Sequence, residues 1–106
     1  MKKLHHHVYV VELDRDVLTD KKFKEANPHV YDEMPLYVGM TGIPPEQRFE
    51  NHKKGYKASK YVRKFGLRLL PDLYENFNPM TYEQAVSMEE KLAADLRSMG
   101  HPVWQR

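Results

Sequence analysis

The segment that decides the fold reads LYVGMTG at positions 36–42 and continues to RFENH at positions 48–52. The first part is an apolar run with β-branched and aromatic residues that ends in a glycine-containing turn, which is typical of a strand leaving a sheet. The second part is predicted to be helical, so Arg48 and His52, four residues apart, share one helix face. Tyr37, at the start of the strand, can therefore converge with them on one pocket. Guanidinium, imidazole and phenol groups together suit phosphate binding and proton transfer.

Length and composition indicate one small globular domain. The chain has 106 residues, of which 41% are hydrophobic and 30% charged, and this balance favours a folded core over disorder. It has no cysteine, which excludes disulfides and thiolate zinc sites and is compatible with a reducing compartment. No apolar run approaches the roughly 20 residues of a membrane-spanning helix, and no signal-peptide core follows the first residues. We therefore expect a cytoplasmic protein that does not contact membranes.

Three stretches have the apolar, β-branched character of strands, at positions 4–13, 36–40 and 67–74. The first two are expected to pair antiparallel. Pro71 restricts the third to an edge or a bulge, because proline cannot donate a ladder hydrogen bond. The predicted fold class is α/β (α+β), with a small, mostly antiparallel three-stranded sheet flanked by helices.

The polar segment at positions 14–35 separates the first two strands, and we interpret it as an insertion. Positions 19–26 can form a helical turn or two. Phe23, Val30 and Tyr31 are its candidates for contact with the core.

Three helices follow, each with a recognisable start or end. Pro45 suits the first turn of a helix that runs to about Lys54, and Gly55 is a natural C-terminal cap. Ser59 is predicted to cap a short helix at positions 60–65. The sequence TYEQ at positions 81–84 fits a capping box and begins the longest helix.

One carboxylate of the longest helix is predicted to be buried. Its apolar stripe consists of Ala85, Met88, Leu92, Leu96 and Met99. At about 100° per residue, Glu89 lies on or beside this stripe, whereas Glu90 faces solvent. A buried carboxylate is costly unless it is paired or binds a metal. The pattern leaves two roles open for Glu89, a structural partner of Arg48 or a metal ligand.

The net charge of +2 hides a basic block. Positions 48–68 hold eight basic residues and a single acidic one, Glu50. Such a block is typical of a polyanion-binding surface, although a solvated helix face gives the same pattern. Its candidate phosphate-binding residues are Lys53, Lys54, Lys57, Lys60, Arg63 and Lys64.

Together these motifs resemble the GIY-YIG nuclease signature over nearly the whole chain. Val8-Tyr9 and Tyr37-Val38-Gly39 look like its two halves, and Thr41, Arg48 and His52 follow at the spacing that the family shows. Glu89 matches the family's metal-binding glutamate, and Gln105 stands where the family usually has asparagine. The two tyrosines are more widely separated than is usual in the family, which agrees with an insertion at positions 14–35.

The resemblance implies a single nuclease domain over positions 1–106 with catalytic residues Tyr9, Tyr37, Arg48, His52 and Glu89. Glu89 would hold Mg²⁺ (or Mn²⁺), and Arg48 would neutralise charge in the transition state. Tyr37 or Tyr9 would deprotonate the attacking water, or His52 would accept the proton. Gly39, Thr41 and Gln105 would support the site.

The predicted function is metal-dependent hydrolysis of phosphodiester bonds in nucleic acid, with DNA the expected substrate. A protein partner would supply sequence specificity, since no recognition module is evident. The alternatives are a nucleic-acid-binding module of the same fold without activity, and a protein-interaction domain whose basic block meets an acidic partner. Taken singly, Tyr9 and Tyr37 could also be ordinary strand aromatics.

Overall fold

Two antiparallel strands form the centre of the sheet. The structure, a computed structural model, describes residues 3–29 and 32–106. Strand β1 is His7–Leu13 and strand β2 is Leu36–Thr41, and they pair so that Tyr9 lies opposite Gly39. Every residue of β2 is buried, because helices cover both faces of this part of the sheet. The first two predicted strands and their antiparallel pairing are confirmed.

The described residues form a sheet of four strands, in the order β3-β1-β2-β4. Strand β3, Gly66–Leu69, pairs antiparallel with β1, and strand β4, Val103–Gln105, pairs parallel with β2. The α+β class is confirmed, but the prediction of three strands was wrong and the sheet is mixed. Strand β4 was missed because three residues are too short to show a period. The third strand is also shorter than predicted, because Pro71 begins a 3-10 helix, Pro71–Leu73.

The helices begin and end close to their predicted caps. They are α1 (Lys21–Ala26), α2 (Pro45–Lys54), α3 (Lys60–Phe65) and α4 (Tyr82–Ser98). Gly55 ends α2 at a φ of 86°, a left-handed conformation that glycine adopts without strain. The hydroxyl of Ser59 accepts from the backbone N–H of Tyr61, and Thr81 and Gln84 form the predicted capping box. Shorter 3-10 turns lie at Arg15–Thr19 and Glu75–Phe77.

The two faces of the sheet carry different residues of the predicted site. The rings of Tyr9 and Tyr37 contact His52 of α2, so their face of the sheet packs against α2 and α3. Gln105 follows Trp104 in β4, and the ring centroid of Trp104 lies 4.6 Å from that of Tyr61 in α3. Because successive strand residues point to opposite faces, Gln105 lies on the other face, which packs against α4.

Helix α4 buries Ala85, Glu89, Leu92, Ala93 and Leu96. The predicted burial of Glu89 and exposure of Glu90 are therefore confirmed. Met88 is only partly buried, and the predicted burial of Met99 was wrong, since 64% of it is exposed. The helix ends at Ser98, so Met99 lies in the cap and no longer follows the buried stripe. Among the described residues, no helix is both long and apolar enough to span a bilayer.

The segment at positions 14–35 is packed onto the domain through α1. Phe23 is fully buried, as predicted, and its ring meets Tyr61 edge-on. The carboxylate of Asp20 accepts from the Tyr61 hydroxyl at 2.7 Å. Val30 and Tyr31 lie outside the described residues. The segment thus contributes to the layer that covers the Tyr9 face of the sheet.

Two asparagine side chains take the place of neighbouring strands. Asn27 accepts from the backbone N–H of Val103 at 2.8 Å and donates to its carbonyl at 3.1 Å. Asn78 makes the same pair of bonds with Val8, at 2.9 and 2.8 Å. Each amide therefore satisfies both backbone groups of one strand residue, as a paired strand would.

Candidate active site

Three aromatic side chains meet at the middle of the sheet. The ring centroids of Tyr9 and Tyr37 are 6.1 Å apart, and His52 lies 6.1 Å from Tyr9 and 5.9 Å from Tyr37. Gly39 makes this cluster possible. A Cβ at that position would lie 2.7 Å from Cζ and Oη of Tyr9 and 3.0 Å from Cε1 of Tyr37.

The hydrogen bonds of His52 define its tautomer. The backbone N–H of Ser59 donates to Nδ1 of His52 at 3.0 Å, so Nδ1 carries no proton. In the neutral ring the proton is then on Nε2, which donates to the Tyr9 hydroxyl 2.8 Å away. Burial, together with the charge of Arg48, lowers the pKa of His52 to about 4. At neutral pH His52 is an uncharged donor to Tyr9.

Both tyrosines are protonated in this environment. Burial raises the pKa of Tyr9, and the neighbouring Tyr37 raises it further, while Arg48 opposes the change. Burial also raises the pKa of Tyr37, and the charge of Glu89 acts in the same direction, but hydroxyl contacts with Tyr9 and Ser59 and the charge of Arg48 act against it. These contacts favour the ionised form of Tyr37. A phenolate at Tyr9 would be stabilised by His52 and Arg48, and one at Tyr37 by Tyr9, Ser59 and Arg48.

Arg48 lies between this cluster and the loop after α2. Its Nη2 donates to the carbonyl of Lys57 at 2.8 Å, and its Nη1 approaches the carbonyl of Tyr56 at 3.4 Å. Its charge influences the pKa of both tyrosines and of His52. The predicted convergence of the two tyrosines, Arg48 and His52 is therefore present.

Glu89 lies on α4, which packs against the other face of the sheet, but its charge reaches Tyr37 and contributes to the raised pKa of that phenol. Its Oε1 accepts from Gln105 at 3.1 Å, while Oε2 is 3.4 Å from Nε of Arg106, an ion pair without an aligned hydrogen bond. Arg48 and Glu89 do not pair with each other among the described ion pairs, so the role of Glu89 as partner of Arg48 was a wrong alternative. Burial raises the pKa of Glu89, and Gln105 and Arg106 oppose the shift.

Glu89 fits a cation that keeps most of its water. The described residues contain no group of three or more His, Asp or Glu arranged around one point, so a fully protein-ligated site is not formed there. Oε2 of Glu89 is buried and lacks a hydrogen-bond donor. Mg²⁺ is often held by one or two carboxylates and several waters, which this single oxygen could satisfy. Arg106 is half exposed and would have to move aside.

The supporting residues have distinct structural positions. Thr41 is buried at the end of β2, and its hydroxyl accepts from the backbone N–H of Ile43 at 3.1 Å, which shapes the turn into α2. Gln105 orients the carboxylate of Glu89.

The basic block divides into engaged and available side chains. Nζ of Lys53 donates to the carbonyls of Arg63 and Gly66 at 3.1 and 2.9 Å and so caps α3, and Lys54 pairs with Glu50 at 3.0 Å. The other four predicted phosphate-binding residues are exposed and belong to none of the described ion pairs: Lys57, Lys60, Arg63 and Lys64. A depression of about 460 Å³ lies among them, lined by Gly55, Ala58, Lys60, Arg63 and Lys64.

A second, more apolar groove of about 760 Å³ lies at the start of α4, beside Leu4, Phe77 and Met88. It contains none of the predicted site residues. Its lining lacks the convergent basic groups that a phosphate ligand requires.

Sequence reasoning missed two residues that shape the site. Ser59 was interpreted only as a helix cap. Its backbone N–H also donates to Nδ1 of His52, and its hydroxyl contact acts to lower the pKa of Tyr37. Arg106, the partner of Glu89, is in a segment without a pattern that would place it there. Ser59 could have been suspected from its position between the basic residues, whereas Arg106 could not.

Comparisons with models of protein families, with curated proteins and with solved structures find no match.

Proposed function

We propose that this domain hydrolyses phosphodiester bonds in nucleic acid, with DNA the expected substrate, as the resemblance to GIY-YIG nucleases implies. The observation that carries the proposal is the convergence of Tyr9, Tyr37, His52 and Arg48 over Gly39. Four available cations of the basic block lie on the neighbouring loop and helix. This set supplies groups for orienting water, neutralising charge and holding a phosphate backbone.

In this proposal Arg48 neutralises the charge that develops on the phosphate. In the free protein its guanidinium is bound to two backbone carbonyls. A phosphate is a stronger acceptor than a carbonyl, because charge-assisted hydrogen bonds are about twice as strong as neutral ones. Arg48 can therefore exchange these partners for the scissile phosphate when the strand binds.

Tyr37 orients the attacking water, and His52 and Tyr9 hold Tyr37 in place. His52 has no free lone pair to accept a proton, since Nδ1 is bonded to Ser59 and Nε2 carries a hydrogen. The pKa of Tyr37 must fall for it to act as a base, and the charge of Arg48 already acts in that direction. Mg²⁺ or Mn²⁺ bound by Glu89 would supply Lewis-acid polarisation of a phosphate oxygen.

A cleavage assay tests this function directly. Supercoiled plasmid, a branched junction and a single strand are incubated with Mg²⁺ or Mn²⁺ and with the wild type, Glu89→Ala or Arg48→Ala. Glu90→Ala is the matched control, because Glu90 is the neighbouring but exposed carboxylate of α4. Metal-dependent nicking by the wild type and Glu90→Ala that disappears in the other two variants is the expected result. Equal inactivity of all four proteins contradicts the proposal.

A second candidate function is nucleic-acid binding without catalysis. It is favoured by the burial of the cluster, in which Tyr9 and His52 are 0% and Tyr37 is 2% exposed. In that case the wild type and Glu89→Ala bind oligonucleotides equally well at low salt, and neither cleaves them.

A further inference from the structure

The loop between α2 and α3 presents an aromatic ring to solvent within the basic block. Tyr56 is 60% exposed, although tyrosine rings usually bury much of their apolar surface. Nζ of Lys57 lies 5.6 Å from the centroid of the ring, and the depression of about 460 Å³ begins at the adjacent Gly55. No acidic residue occurs between Glu50 and Asp72 in the sequence. An exposed aromatic ring in a stretch of sequence whose charged residues are all basic matches the chemistry of a nucleobase and its phosphates.

Backbone hydrogen bonds hold the loop that carries Tyr56, so the Tyr56 ring has a defined position at the surface. The backbone N–H of Tyr56 donates to the carbonyl of Asn51 at 2.9 Å, and its own carbonyl faces Arg48. Gly55 and Lys57 on either side both have positive φ values, 86° and 46°. The Tyr56 side chain points to solvent, and the backbone bonds from Gly55 to His52 and from Tyr56 to Asn51 hold the loop without Arg48, whose guanidinium is free to leave for phosphate. Little conformational freedom remains to be lost when a ligand binds.

We propose that this loop and the start of α3 form a subsite for an unpaired stretch of nucleic acid. Tyr56 stacks on one base, while Lys57, Lys60 and Lys64 contact neighbouring phosphates. Stacking requires a base that is free of its partner strand, so the subsite selects single-stranded or frayed segments over intact duplex. The proposal rests on the proposed function only in taking nucleic acid as the partner.

Binding of a fluorescein-labelled oligothymidylate of about 12 nucleotides, within the range that one small domain covers, tests the proposal in EDTA at low salt. Tyr56→Ala is expected to weaken this binding about fivefold or more, the lower end of measured stacking contributions. Tyr56→Phe keeps the ring and should bind like the wild type. Tyr82→Ala is the matched control, since Tyr82 is 53% exposed but lies on α4 away from the basic block.

The salt dependence separates stacking from charge. Tyr56→Ala removes no charge and should leave the slope of log affinity against log salt unchanged, whereas Lys57→Ala should reduce it by about 0.7. A blunt-ended duplex of the same length should bind Tyr56→Ala as it binds the wild type. Equal binding of the oligothymidylate by Tyr56→Ala and the wild type, equal losses in Tyr56→Ala and Tyr82→Ala, or no binding by the wild type would each overturn the subsite.

The two proposals fail in different ways. Binding in EDTA that depends on Tyr56, without cleavage in Mg²⁺, overturns the nuclease and keeps the subsite. Cleavage by the wild type, together with binding that Tyr56→Ala leaves unchanged, overturns the subsite and keeps the nuclease.

Discussion

Tyr9 and Gly39 face each other across β1 and β2, and the phenol ring of Tyr9 occupies the space that a side chain at position 39 would need. The ring of Tyr37 closes the same space from two residues away on β2. The absence of a side chain at one position therefore allows two tyrosines to meet. Their contact with His52 and Arg48 depends on it.

Gly39→Ala is expected to destabilise the domain by about 1–3 kcal/mol, the usual range for overpacking a core. Its Cβ would lie 2.7 Å from the Tyr9 phenol, so one of the buried rings must shift. Urea unfolding measures the change. Gly42→Ala is the control, because its Cβ would meet only the His6 ring, at an ordinary 3.5 Å. Equal stability of the two variants would show that the rings move freely.

His52 is expected to make stability fall with acid. Its pKa is about 4 in the folded state, below the ordinary value of 6.5, because burial disfavours the charged ring. Between these pH values the unfolded chain binds a proton that the folded chain does not, so the free energy of unfolding decreases as pH falls. The slope reaches at most about 1.4 kcal/mol per pH unit.

Urea unfolding of the wild type and His52→Gln across this pH window isolates the effect. Glu89, whose raised pKa acts in the opposite sense, is present in both proteins and cancels in the difference. A difference in stability that does not change between pH 4 and 6.5 would contradict the assigned state of His52.

Asn27→Ala is expected to destabilise the domain by about 1–3 kcal/mol, since it leaves the backbone N–H of the buried Val103 without its acceptor, while the carbonyl of Val103 keeps only the guanidinium of Arg97, at 2.8 Å. Thermal unfolding followed by circular dichroism measures this loss. Asn76→Ala changes an exposed asparagine and should be nearly neutral. If both variants unfold at the same temperature, the Asn27 amide does not secure β4.

Lys53→Ala is expected to act on stability and Lys57→Ala on nucleic-acid affinity. Nζ of Lys53 is bound to the carbonyls at the end of α3, so its removal should cost about 1 kcal/mol and leave the salt slope of binding unchanged. Lys57 bears no such bonds and should show the reverse pattern. A reduced salt slope for Lys53→Ala would show that the lysine leaves its carbonyls for phosphate.

Local signals predicted most of the fold. Helices α2, α3 and α4 were predicted from residues that act within a few positions, such as Pro45, Ser59 and the capping box at Thr81. Strand β4 was missed, because it depends on pairing with the distant β2. The end of β3 was misplaced, because a single proline, Pro71, begins a 3-10 helix there. A three-residue strand is defined by its neighbour, which no local pattern reveals.

The candidate site was predictable in part for the same reason. The spacing of Arg48 and His52 on one helix face, and of Tyr37 and Gly39 on one strand face, follows from backbone periods. The burial of Glu89 follows from its position on the helical wheel. Its partner could not be inferred, because the side of the sheet on which α4 packs is a property of the whole fold.

The hydrogen bonds from Asn27 to Val103 also help to fix the register of β4 against β2. A parallel strand of three residues forms few ladder hydrogen bonds that would prevent a register shift, and a shift by one residue exchanges the two faces of a strand. Such a slip would turn Trp104 toward α4 and move Gln105 to the face of Tyr61, away from Glu89. Because Asn27 forms hydrogen bonds with both backbone groups of Val103, it stabilises the observed alignment against such a shift. A residue of the inserted segment thereby determines which side chain the buried carboxylate of α4 meets.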